Sequence, residues 1–197
     1  MKSQVPQLTP FVRTDAIGAI LAEVLGRPDR SLSLAEIGRR TGVAASGVHK
    51  EVERLLESGN DLDPRVARNR VIRANRDHPL FQPMSQIIAA TYGPVPVLRE
   101  LFQDVGGADE VFIFGSWAAR RAGEPGEFPR DLDVLVVGDS SRRVLADVAS
   151  EAGDKLDLEV NVTRLSTQEW GAEDPSPFVQ TVRSRPLIEI LGRGEGV

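Results

Sequence analysis

The sequence of 197 residues contains no cysteine. This absence excludes disulfide bonds, thiolate metal sites and cysteine nucleophiles. Long hydrophobic runs are missing as well: none approaches the ~18 residues of a membrane-spanning helix, and the first residues lack the apolar core of a signal peptide. We therefore expect a cytoplasmic protein with no membrane association. A hydrophobic content of 41% and a charged content of 27% are ordinary for a folded chain.

The common short motifs for phosphate and metal binding are also absent. No segment has the GxxxxGK[ST] pattern of a P-loop. The segment Phe114 to Ala118 lacks the glycine spacing of dinucleotide-binding loops. Residues 131–135 lack the third acid and the glycine of an EF-hand loop. A nucleotide or metal site in this chain must therefore be built in another way.

Charge is distributed unevenly along the chain. Residues 1–78 hold 13 Lys and Arg against 10 Asp and Glu, whereas residues 79–197 hold 11 against 19. Within residues 64–76 there is no acid, and there are five arginines: Arg65, Arg68, Arg70, Arg73 and Arg76. Local basicity is typical of nucleic-acid contact, although a solvated arginine-rich hairpin has the same composition. A basic and an acidic half predict two domains with separate tasks.

The basic half has the pattern of a helix-turn-helix. Apolar residues at helical spacing predict a first helix over 14–26. The segment Ser33 to Glu36 is a capping box that opens a second, short helix. A third helix is predicted over 44–58, after a break at Gly42. A short helix, a turn containing glycine and a further helix are the helix-turn-helix arrangement.

Residues 62–66 and 70–74 are predicted to form two short strands, the wing of a winged helix. A recognition helix presents polar and basic side chains near its N-terminus to the major groove, and wing arginines suit a narrow minor groove. The predicted DNA contacts are Ser46, His49, Lys50, Arg54, Arg65, Arg68 and Arg70. His49 is equally well explained as a surface histidine, and winged helices also serve as protein–protein modules. We expect double-stranded DNA as a partner, bound by a homodimer because reading a palindrome requires two copies.

The remaining chain divides into a connector and an α/β domain. Helices are predicted over 87–92 and 95–102 within the connector, which is the expected seam of the homodimer. Short apolar runs then alternate with helical segments, which predicts strands at 109–114, 131–137, 156–163 and 187–191. The predicted fold class is α+β in three parts: a winged helix-turn-helix at 1–78, a helical connector at 79–108 and a mixed-sheet domain at 109–197.

Two carboxylates stand at the head of the second strand of this domain. Strand side chains alternate, so Asp131 and Asp133 lie on one face, and Mg²⁺ prefers carboxylate oxygens and water. The strand before them ends in Gly115 and Ser116, which suit close approach of a phosphate to the backbone and to a hydroxyl. Arg120 lies one turn further along the following helix. These residues predict a metal–nucleotide site; the alternative is a solvated strand start with Ser116 as a simple helix cap.

The segment Phe114-Gly115-Ser116, a spacer of fourteen residues and Asp131-Leu132-Asp133 resemble the nucleotidyltransferase superfamily of the DNA polymerase beta type. More narrowly, they resemble the minimal nucleotidyltransferases of bacteria and archaea. Residues 12–191 resemble prokaryotic proteins that join an arsenic-repressor-type winged helix to such a domain. The resemblance implies a mixed sheet of three to four strands flanked by helices. It also implies Mg²⁺ at the two aspartates and a nucleoside triphosphate, ATP in the first instance, at the Gly-Ser turn.

The chain departs from the family pattern at the third acid. That acid lies on the next strand, about nine residues before the aromatic of a capping-box helix, and counting back from Trp170 reaches Asn161. An asparagine brings no charge to a metal site. Glu159 and Asp157 are predicted on the same strand face, and Glu159 has the longer reach. Glu159 is therefore the candidate third catalytic acid, with Asp157 and Asn161 as alternatives.

Three functions fit these patterns. The first is a DNA-binding transcriptional regulator whose second domain binds a nucleoside triphosphate with Mg²⁺. The second is an active nucleotidyltransferase that modifies a hydroxyl of a protein or a small molecule. The third is an antitoxin-like protein that partners a small helical toxin and regulates its own operon.

Overall fold

The computed structural model describes residues 12–58, 71–127 and 129–192. Helices and strands mix along the chain, so the fold class is α+β. The chain divides into two compact units, Met1–Gly93 and Pro94–Val197. This division lies inside the segment that the sequence predicts as a connector. Within the described ranges, no helix combines the length and the apolarity that a membrane crossing requires.

The part of the first unit that the structure describes is mainly helical. Its elements are α1 (Asp15–Gly26), β1 (Leu32–Ser33), α2 (Leu34–Thr41), α3 (Ala45–Ser58), β2 (Val71–Ile72) and α4 (Phe81–Thr91). β1 and β2 pair antiparallel, with Leu32 opposite Ile72. β2 falls within the second of the two predicted wing strands. The first, at 62–66, lies outside the described residues, as do Arg65, Arg68 and Arg70.

Local sequence signals explain where these helices begin and end. The Thr14 side chain caps α1, and the capping box predicted at Ser33 and Glu36 is confirmed at the start of α2. Gly42 ends α2 in the left-handed region, at φ 69°, where a residue without a Cβ is favoured. The apolar stripe predicted for α1 is buried and consists of Ile17, Ile20, Leu21, Val24 and Leu25.

Helix α4 packs against α1 and so belongs to the first unit. The Tyr92 hydroxyl donates to Asp15 Oδ1 at 3.0 Å, and the Tyr92 ring lies against Gly18, where a Cβ would not fit. The helix begins at Phe81, six residues before the predicted start at Ile87. Pro83 is tolerated there because the first turn of a helix does not use its backbone N–H groups.

The second unit contains a four-stranded mixed sheet flanked by helices. Its elements are α5 (Pro94–Phe102), β3 (Ala108–Phe114), α6 (Gly115–Arg121), β4 (Asp131–Gly138), α7 (Arg142–Leu156), β5 (Glu159–Leu165), α8 (Thr167–Gly171), α9 (Pro177–Arg183) and β6 (Ile188–Leu191). The strand order is β5-β4-β3-β6. β4 runs parallel to β5, and β3 pairs antiparallel with both β4 and β6.

One face of this sheet is apolar at one end and polar at the other. Phe112, Leu135 and Val137 pack with Val182 of α9 into a buried cluster. Partly buried residues surround the cluster: Phe114, Leu165, Trp170 and Leu187. Because strand side chains alternate with period two, Asp131 and Asp133 lie on the face of Leu135 and Val137. The core therefore fixes the face on which the predicted site stands.

The prediction for the chain between α7 and β5 was wrong. The helix continues to Leu156, and Asp157 is its C-cap in the left-handed region at φ 50°. The backbone N–H of Leu158 bonds to the carbonyl of Gly153, which closes the helix end as C-terminal caps commonly do. The strand begins only at Glu159. Asp157 is therefore not on the strand face where the sequence pattern placed it.

Candidate functional site

The pairing of strands fixes the neighbours of the two aspartates. Asp133 pairs with Phe114 of β3 on one side and with Asn161 of β5 on the other. Asp131 pairs with Glu159. Residues opposite each other in neighbouring strands point to the same face. Alternation predicted a shared face for the polar residues within each strand, and the register brings Asp131, Asp133, Glu159 and Asn161 together on one face of the sheet.

Gly115 brings the bend after β3 against this face. Its φ is +73°, in the left-handed region that glycine adopts without penalty. A Cβ atom at position 115 would lie 2.5 Å from Asp133 Oδ2, so any larger residue would collide with the carboxylate. Ser116 follows as an exposed residue in the first turn of α6. The bend and Asp133, which are far apart in sequence, thus meet in the fold.

The surroundings of Asp133 disfavour the negative charge of its carboxylate. Partial burial and the negative charge of Asp131 raise the pKa of Asp133, while a hydrogen bond from the Asn161 side chain acts in the opposite direction. Two carboxylates that repel each other in a partly desolvated place favour a bound cation or a proton. The Asn161 side chain therefore offsets part of the cost of the Asp133 charge.

The donor set of this face fits Mg²⁺ in part. Within the described residues, no group of three or more His, Asp or Glu is arranged to hold a metal ion. Glu159 lies in register with Asp131 without completing such a group. Mg²⁺ is often held by only one or two carboxylates, with water and substrate phosphates as its other ligands. Asp131 and Asp133 match that kind of site better than a site built wholly from protein ligands.

Arg120 has contacts that tie it to the loop after its own helix. Its Nη1 donates to the carbonyl oxygen of Glu124 at 2.9 Å, and its guanidinium lies against Gly126. The Glu124 carboxylate also accepts a hydrogen bond from Arg185 at 3.1 Å. These contacts give Arg120 a part in holding residues 123–126. Its predicted role at a phosphate stays a prediction.

Phe178 was missed by sequence reasoning. It lies in the first turn of α9 and is 40% exposed. Its ring meets the ring of Phe114 edge to face, with centroids 5.9 Å apart and an interplanar angle of 86°. Phe114 in turn pairs with Asp133. The signal in the sequence was an apolar residue directly after the helix start Ser176-Pro177, four residues before Val182 and therefore beside the apolar face of the helix.

The predicted DNA contacts that the structure describes lie on α3. All four are exposed, as contact between a recognition helix and DNA requires: Ser46, His49, Lys50 and Arg54. Two of them already contact acids of the same helix: His49 Nδ1 lies 3.3 Å from Glu53, and Arg54 donates to Glu51 at 3.0 Å. Exposed pairs of this kind contribute only ~0.2–1 kcal/mol. DNA phosphates could therefore replace the acids at small cost.

A comparison of the chain with models of known protein families gives no match, and neither does a comparison with curated proteins.

Proposed function

We propose that this protein is a DNA-binding transcriptional regulator whose second unit binds a nucleoside triphosphate, ATP in the first instance, together with Mg²⁺. One observation carries the nucleotide part: the Gly115 bend lies against the carboxylate of Asp133, which shares its strand face with Asp131. In this proposal, residues from 109 onwards form a nucleotidyltransferase-like domain.

Each residue of the site has a defined task. Asp131 and Asp133 would hold Mg²⁺, which when bound neutralises the charge of the triphosphate. Gly115 lets a phosphate approach the backbone closely, and the Ser116 hydroxyl donates to a phosphate oxygen. Asn161 keeps the Asp133 carboxylate oriented through its hydrogen bond. All four tasks concern binding, and none requires a bond to be broken.

The position opposite Asp133 favours binding over turnover. Two-metal nucleotidyl transfer depends on convergent carboxylates, and the strand partner of Asp133 is the neutral Asn161. Glu159, the candidate third acid, lies opposite Asp131 instead. A ligand-binding role for the second unit agrees with this arrangement. Transfer of a nucleotidyl group to a hydroxyl is the alternative that the experiment below detects.

The DNA-binding part of the proposal rests on the element order of the first unit. Helix α2, the turn at Gly42 and helix α3 follow each other as in a helix-turn-helix. β1 and β2 pair beside them, as the inner strands of a winged helix do. A bound nucleotide would then regulate DNA binding by a homodimer.

Calorimetric titration with MgATP tests the nucleotide site. We expect Asp131→Asn and Asp133→Asn to weaken binding at least roughly 10-fold, since even residues that only orient metal ligands change affinity by about 10- to 100-fold. Asp147→Asn, an exposed residue of α7, is the matched control and should bind as the wild type does. Equal affinity in all four proteins would refute the site. Incorporation of labelled ATP that both site variants abolish would establish the transferase instead.

A further inference from the structure

We infer that Phe178 is the surface on which the base of the bound nucleotide stacks. This inference rests on the proposed function, since it assumes a triphosphate at Gly115, Ser116, Asp131 and Asp133. Its starting point is the edge-to-face contact between Phe178 and Phe114, the residue that comes directly before the bend and pairs with Asp133. Phe178 is thus connected to the predicted site through its contact with Phe114.

The exposure of Phe178 is unusual for this unit. Among the described residues of the second unit, the large hydrophobic side chains exposed to this degree are Phe178 and Val144. Asp131 and Asp133 lie at the start of β4. Val144 lies at the start of α7, which follows the other end of that strand. Phe178 is therefore the exposed large apolar group on the side of the predicted site.

The ring of Phe178 is held in place by its helix. Ser176 caps α9 and Pro177 occupies its first position, which fixes the backbone at the start of the helix. Val179 and Val182 are buried and anchor α9 to the sheet. The edge contact with Phe114 fixes one side of the Phe178 ring and leaves part of its surface in solvent. A ligand would therefore meet a preorganised aromatic surface.

The polarity of the sheet face matches that of a nucleotide. The carboxylates of Asp131 and Asp133 lie on the sheet face that also carries Phe114. Phe114 in turn contacts the ring of Phe178. A nucleoside triphosphate has the same order of groups, with a charged tail that binds Mg²⁺ and a flat base at the other end. Stacking of a base on an aromatic side chain is worth ~1–3 kcal/mol and is tolerant of base identity. Phe178 would therefore increase affinity for nucleotides with little choice among the purines.

The test compares MgATP with Mg²⁺ tripolyphosphate, which has the anionic tail without the base. For Phe178→Ala we expect MgATP affinity to fall roughly 10-fold, within the range of about 5- to 160-fold that stacking implies, and tripolyphosphate affinity to stay unchanged. Phe178→Trp should keep the MgATP affinity. Phe178→Leu keeps an apolar contact with Phe114 and lacks the aromatic surface, so it should resemble Phe178→Ala. Val144→Ala is the control and should bind both ligands as the wild type does.

The two ligands separate the possible failures. If the wild type binds tripolyphosphate and MgATP, and Phe178→Ala binds MgATP equally well, the stacking role is wrong while the nucleotide site stands. If the wild type binds neither ligand, the proposed function is wrong and the stacking role falls with it. A change in the oligomeric state of Phe178→Ala, with MgATP affinity intact, would assign the ring to a contact between two copies and would also overturn the inference.

Discussion

The two units carry predicted sites of different construction. In the second unit, Asp131 and Asp133 receive their neighbours from the hydrogen-bonding register of the sheet. In the first unit, the predicted contacts that the structure describes all project from the surface of one helix, α3. Some of them have acids of that helix as partners, as His49 has Glu53.

This difference determines what each site can tolerate. A slip of one residue in strand register would turn Asp133 to the opposite face of the sheet, so the register that forms the core also preserves the site. A helix surface has no such constraint, and a single substitution can change its charge without effect on packing. The second site therefore depends on backbone geometry and the first on surface charge. Four substitutions test this contrast.

The largest effect is expected for Gly115→Ala, because it places a Cβ where the backbone conformation favours glycine. The new Cβ would collide with Asp133 Oδ2, and a φ of +73° is strained for alanine. Residues held in such regions carry about 1–3 kcal/mol of strain. We expect a loss of that size in the free energy of unfolding, together with weakened MgATP binding. Chemical denaturation followed by tryptophan fluorescence measures it, because Trp117 and Trp170 both belong to the second unit.

Gly106→Ala is the matched control for this substitution. Gly106 has a negative φ and open space where a Cβ would be placed. Alanine at such a position is neutral or slightly stabilising. If both variants lose the same stability, the special geometry of Gly115 has no energetic importance.

An intermediate effect is expected at the two capping boxes, one in each unit. Ser33→Ala and Ser166→Ala each remove a side-chain cap, and loss of such a cap typically destabilises by about 1 kcal/mol. Fluorescence reports the change for Ser166→Ala, and hydrogen exchange of α2 reports it for Ser33→Ala. Ser31→Ala, outside any cap that the structure describes, should leave stability unchanged.

The capping boxes also predict a pH dependence. Hydrogen bonds from the Ser33 backbone and side chain lower the pKa of Glu36, and those from the Ser166 side chain and backbone lower the pKa of Glu169. A folded pKa below the unfolded value of 4.5 stabilises the fold above that pH, and the gain is lost as the pH falls through the folded pKa. The difference between each serine variant and the wild type should therefore shrink in acid. A difference that stays constant from neutral pH to pH values well below 4.5 would contradict this account.

The smallest effect is expected on the surface of α3. Glu53→Gln removes the charge beside His49 and reduces repulsion of DNA phosphates. We expect DNA affinity to rise by no more than about 5-fold at low salt, since exposed charge pairs contribute at most ~1 kcal/mol. Glu173→Gln makes the same change of net charge at an exposed position of the second unit. A mobility shift with the same effect for both variants would mean that overall charge, and not the α3 surface, controls binding.

Sequence patterns predicted the site best where one local rule decides the structure. Alternation in β4 placed Asp131 and Asp133 on one face, and capping residues located the starts of α2 and α8. Prediction failed where two rules compete. Leu156 and Leu158 fit a strand alternation, but the helical hydrogen bonds of α7 continue to Leu156, which moves Asp157 off the sheet.

Tertiary contacts explain what no local pattern could supply. Phe178 lies more than sixty residues along the chain from the bend at Gly115. Its proximity to Phe114 depends on how α9 packs across the sheet. The hydrogen bond of Arg185 with Glu124 likewise joins residues that are far apart in the sequence. Long-range packing of this kind leaves no periodicity in the sequence.

Strand β4 is accessible to solvent only at its beginning. Asp131 and Asp133 are half-buried, whereas every residue from Val134 to Gly138 is buried. The core is therefore built from one stretch of the strand, and the proposed site lies on another. An acid at the open end can therefore be exchanged for an amide, and restored, while the buried stretch of the strand keeps the fold.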